Sequence, residues 1–71
     1  MSERFITVYT NIQMPQVEMV KAVLEDNGIL CNIKGYDETR PHLSYGMGIH
    51  LQVPERDKRE AEKIIKVIFG A

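Results

Sequence analysis

The sequence predicts a small α+β domain with its elements in the order β-α-β-β-α. Three observations carry that prediction. Short stretches around Ile6, Ile33 and Leu51 alternate apolar with other residues, which is the two-residue period of a strand. Two longer stretches, after Pro15 and after Pro54, space their apolar residues at helical intervals instead. With 71 residues and no linker, repeat or low-complexity tract, the chain reads as one domain over residues 1–71.

The first strand is "RFITVYT", Arg4–Thr10, rich in β-branched and aromatic residues. Strict alternation there puts Ile6 and Val8 on one face and Phe5, Thr7 and Tyr9 on the other. "NIQMPQ" follows as a turn, with Pro15 suited to a first helical turn because its missing N–H is not needed there. "PQVEMVKAVLEDNG" is then an amphipathic helix with Val17, Val20 and Leu24 on one stripe and Val23 beside it. Asn27-Gly28 is its stop signal. Met19 lies off the stripe, at the surface.

"ILCNIK", Ile29–Lys34, is the second strand, with Ile29, Cys31 and Ile33 inward and Leu30, Asn32 and Lys34 outward. The irregular stretch "GYDETRPHLSYGMG", Gly35–Gly48, separates it from the third strand, "GIHLQVP". There Ile49, Leu51 and Val53 alternate with His50 and Gln52, a half-buried pattern. Pro54 ends the strand, and Glu55 and Asp57 place negative charge at the positive end of the second helix. Ala61, Ile64, Ile65 and Ile68 form that helix's apolar stripe, and Gly70 ends it.

A strand–helix–strand unit is right-handed and parallel, and the third strand returns antiparallel beside the second. Both helices then share one face only in a split βαβ arrangement, with sheet order 1-3-2. A ferredoxin-like fold would add a fourth strand outside the first, which this sequence does not supply. The first strand is therefore expected at an edge, with one charge, Arg4, and no proline to guard it. The face away from the helices would show Phe5, Thr7, Tyr9 and His50, among others, and suits a partner subunit.

Composition narrows the functions. Hydrophobic residues make up 44% of the chain, enough to fold, although the core is close to the lower size limit for independent stability. One cysteine permits no internal disulfide and fits a reducing compartment. The amino terminus "MSERFITVYT" lacks a basic region followed by an apolar run, and no stretch approaches the ~20 apolar residues of a membrane span. A soluble, cytoplasmic protein with no membrane contact is expected. Net charge is −1, without the basic footprint of a nucleic-acid binder, and the run "ERDKREAEK" alternates in sign as a solvated helix face does.

Three segments carry a resemblance. "VYT" at Val8–Thr10, "VEMVKAVLEDNGI" at Val17–Ile29 and "LQVPERDKREAEKII" at Leu51–Ile65 resemble the small bacterial domains described as "putative prokaryotic signal-transducing protein", a family of unknown function. The resemblance implies a ferredoxin-like fold grouped with the PII-type nitrogen regulators. In those regulators a long loop between the second and third strands engages partner proteins, and trimers bind adenine nucleotides between subunits. The corresponding slot here is Gly35–Gly48; a Gly-rich phosphate cradle is absent from the sequence.

The candidate site is that slot. Hairpin connections usually run ~2–5 residues, and longer ones in compact domains tend to serve function. Tyr36, Asp37, Arg40, His42 and Tyr45 lie within it, and Tyr and Arg are residue types enriched at binding hot spots. Arg40, with Lys34, is suited to hold an anion, and Tyr36 and Tyr45 offer flat contact area. No His or Cys pair has a metal-ligand spacing, so neither metal nor cofactor is expected. Asp37, His42 and Ser44 outline a triad only on paper, with no oriented base or oxyanion donors, so catalysis is not expected either. The leading expectation is a non-catalytic regulatory module that meets a protein partner, or a second copy of itself, through Gly35–Gly48. The alternative is an oligomeric sensor of a small anionic ligand or nucleotide at a subunit interface.

Overall fold

The computed structural model describes residues 3–35 and 48–70. Within them the elements follow the expected order: β1 (Phe5–Asn11), α1 (Met14–Asp26), β2 (Asn32–Lys34), β3 (Ile49–Pro54) and α2 (Lys58–Phe69). One 3-10 turn, Glu55–Asp57, leads into α2. The three strands form one sheet of order β1-β3-β2, and both pairings are antiparallel. β1 and β2 thus run in the same direction with β3 between them, as a split βαβ requires.

Both helices cover the same face. Val17, Val20 and Leu24 from α1, Ala61 from α2, and Ile49, Leu51 and Val53 from β3 join Ile29 in a single buried cluster. The three β3 residues are two apart, so they share a face, and every member of the cluster was legible from periodicity. No polar or charged residue is buried among the described residues. The driving force here is therefore apolar burial, on the order of 1.5–3 kcal/mol for each large side chain fully removed from water.

The end of α1 explains why β2 is shorter than the expected Ile29–Lys34. The Gly28 amide donates to Glu25 O at 2.9 Å and the Ile29 amide to Leu24 O at 3.1 Å, a Schellman closure. Ile29 also packs with Leu24 in the core, the apolar contact that accompanies this motif. Its amide is thus committed to the helix end, and strand pairing begins only at Asn32. Cys31 and Ile33 still pack toward the core, as expected.

β1 departs from strict alternation. Thr7 pairs with Gln52 but Tyr9 pairs with Leu51, so Val8 is an extra residue, a β-bulge. The bulge reverses the facing of all that follows. Tyr9, expected on the open face with Phe5 and Thr7, instead turns to the helix side. Its ring stacks on Phe69 of α2 at a centroid distance of 5.5 Å, and its hydroxyl accepts from Asn11 Nδ2 at 3.0 Å. Thr10, opposite His50, takes its place on the open face.

Candidate functional site

The site is built up from the two strand ends that flank the segment between β2 and β3. Lys34 is the last residue of β2, and its registered partner on β3 is His50. His50 is also registered with Thr10 of β1, so the three residues form one row across the sheet. A second row beside it holds Asn32, Gln52 and Thr7. All six belong to the face opposite the core, because the β3 residues between them are Leu51 and Val53, both fully buried.

Two glycines bring the chain out of and back into this row. Gly35 and Gly48 have φ of +88° and +80°, the left-handed region that side-chain-bearing residues avoid. They also pass close to each other. A Cβ on Gly35 would lie 2.9 Å from the Gly48 carbonyl oxygen, and one on Gly48 would lie 2.7 Å from Thr10 Cγ2. The strand ends are therefore pinned together at the root of the segment.

The histidine lies near the same root. His50 Cδ2 is 3.3 Å from the position of a Gly35 Cβ, so the ring occupies space that any other residue at 35 would contest. On its other side His50 Nδ1 is 3.3 Å from Thr10 Oγ1, within hydrogen-bonding reach. In the neighbouring row Gln52 Nε2 donates to Thr7 Oγ1 at 3.2 Å. Lys34 is exposed beside this framework.

The expected site residues thus divide. Lys34 and His50 come together on the open face, and Thr7 lies in the adjacent row. Phe5, paired with Pro54, begins the edge strand, and Tyr9 is withdrawn to the helix side. Tyr36, Asp37, Arg40, His42 and Tyr45 lie outside the described residues. Thr10 is the residue that sequence reading missed, because a bulge depends on pairing with β3 and leaves no mark in β1's own composition. The signal for the pinned root was present in the two glycines that bracket the segment.

Other chemistry finds little support among the described residues. No three His, Cys, Asp or Glu side chains gather as a metal ion would require. Cys31 is half-buried, and burial pushes its thiol up from 9.0 to about 11, with Glu25 adding to the rise and Lys21 opposing it. Such a thiol is protonated and unreactive at neutral pH. Among the described residues no helix is long and apolar enough to cross a membrane.

One family matches the chain, over residues 5–68, and its description is "Putative prokaryotic signal transducing protein". The match begins with β1 and takes in all of the elements above except the last residue of α2. The chain belongs to this family. No curated protein and no solved structure matches it.

Proposed function

We propose, from the premise of that family membership, that the protein is a non-catalytic regulatory module of the cytoplasm. It engages a protein partner through the segment between β2 and β3. One observation carries the reading. Lys34 and His50 are registered antiparallel neighbours, so a tight turn of ~2–5 residues would suffice to join their strands. The chain instead inserts Gly35–Gly48, and anchors both ends of the insertion with left-handed glycines. A fold that needs only a turn gains nothing from this length, which points to recognition. Tyr36, Arg40 and Tyr45 are the anchors this reading assigns, since aromatic and guanidinium groups supply most of the energy at protein interfaces.

The test is affinity capture from an extract of the source cells with two baits, the native chain and the Tyr36→Ala/Arg40→Ala/Tyr45→Ala variant. The variant is expected to unfold at the same temperature as the native chain and to lose the captured protein. Equal capture by both baits contradicts the reading.

A second reading is favoured by a separate observation. No residue of the three strands is acidic, although the chain is net −1; the described carboxylates lie on the helices, the turn into α2 and Glu3. Among the described residues Lys34 therefore lies on a sheet face whose strands carry no carboxylate, which suits a small anion sensed by the module. Saturable amide shifts on titration with nucleotides or anionic metabolites support this reading, and an unchanged spectrum removes it.

A further inference from the structure

We propose that Lys34 and His50, with Thr10 holding the histidine, form an oxyanion-binding site on the open face of the sheet, for the phosphate or carboxylate group of a small metabolite. The proposal deepens the second reading above and rests on it for the charge of the ligand. The row places the three side chains side by side, since registered residues on neighbouring strands hold their Cβ atoms roughly 4.5–5.5 Å apart. The lysine ammonium and the imidazole N–H are the donors to an anion, and the lysine is the cationic one.

The histidine is organised before any ligand arrives. Thr10 Oγ1 approaches Nδ1 at 3.3 Å, and Cδ2 lies 3.3 Å from where a Cβ on Gly35 would stand, so only glycine leaves the ring its place. With the threonine hydroxyl donating to Nδ1, the ring proton resides on Nε2 and is directed away from the threonine. A ring held at Nδ1 gives up less freedom on binding, a cost that preorganisation removes. Thr10 acts here as a positioning residue, because its one hydroxyl proton is committed to the histidine.

The surroundings favour a small ligand over a polymer. Lys34 is the one Lys or Arg residue on the three strands, whereas a nucleic acid needs several cations along its backbone. Asn32 and Gln52, in the next row, offer neutral amides to the remainder of the molecule.

The experiment is an amide NMR titration of the full chain at low ionic strength with two probes, inorganic phosphate and malonate. Saturable shifts at Thr10, Lys34, Gly35 and His50 are expected with one probe more strongly than the other, which tells phosphate from carboxylate. Lys34→Gln, an exposed substitution that leaves the fold intact, should weaken that response about tenfold, as should His50→Phe, which keeps a ring over Gly35. Shifts that never saturate, or that saturate equally in Lys34→Gln, reduce the effect to ionic screening and overturn the site. Saturation at other residues overturns this site while sparing the sensor reading. No shift with either probe defeats both.

Discussion

Gly48 has no room for a side chain. A Cβ there meets Thr10 Cγ2 at 2.7 Å and must also adopt a left-handed φ of +80°. Gly48→Ala should therefore cost about 2–4 kcal/mol in urea unfolding, the sum of backbone strain and overpacking. Thr10→Ser removes the opposing methyl, so it should recover about 1 kcal/mol in the Gly48→Ala background while doing little alone. Strict additivity of the two changes contradicts the close approach. Cys31 supplies a second prediction at this scale. Its folded thiol is raised to about 11, above the 9.0 of an unfolded chain. The unfolded state thus releases its proton first as pH rises. The contribution to stability is complete below pH 9 and is lost between pH 9 and about 11, so the native chain should weaken over that window relative to Cys31→Ser. Alkylation at pH 8 should also be at least about tenfold slower folded than unfolded. Parallel stability curves for the two chains contradict the assignment.

Among the elements, β1 is where the structure most changes the reading. The bulge at Val8 sends Tyr9 against Phe69 and delivers Thr10 to His50. Phe69→Ala should remove the ring-current shift on the Tyr9 ring protons and cost about 1 kcal/mol, the worth of an aromatic pair. Tyr9 resonances that ignore the substitution would restore strict alternation along β1. The rest of the architecture was legible because each element's apolar pattern agrees with the core it builds. Val17, Val20 and Leu24 mark α1, Ala61 marks α2, and Ile49, Leu51 and Val53 mark β3. Two features escaped, for the same physical reason. The Schellman closure that withdraws Ile29 from β2, and the bulge that turns Tyr9, are decisions of backbone pairing, and side-chain periodicity does not record them. For the proposed site, sequence reading singled out Lys34 as an anion contact and placed His50 on the open face by alternation, but the row that joins them to Thr10 was not legible.

For the molecule as a whole, the sheet separates two tasks. The helix side of the sheet holds the apolar core, and the other face and the root of the inserted segment hold the polar row of Lys34, His50 and Thr10. Among the described residues β1 is hydrogen-bonded to a strand on one side only, so it is available to a second copy of the chain. Light scattering across a wide concentration range should then show a mass above that of the 8.2 kDa chain, and a constant monomer mass contradicts this use of the edge. The inserted segment should be dispensable for folding. Replacing residues 36–47 by Asn-Gly, with Gly35 and Gly48 kept, should leave the chain folded and about 1 kcal/mol more stable, since a shorter loop closes at lower entropic cost.

That shortened chain also allows the most direct measurement of the central claim, that the segment between β2 and β3 is there for recognition. Full-length and shortened chains, each with a native amide spectrum in the sheet and helices, are used side by side as baits in one capture experiment. The account predicts a specific, saturable partner on the full chain and none on the shortened one. Equal capture of the same protein by both chains would contradict it.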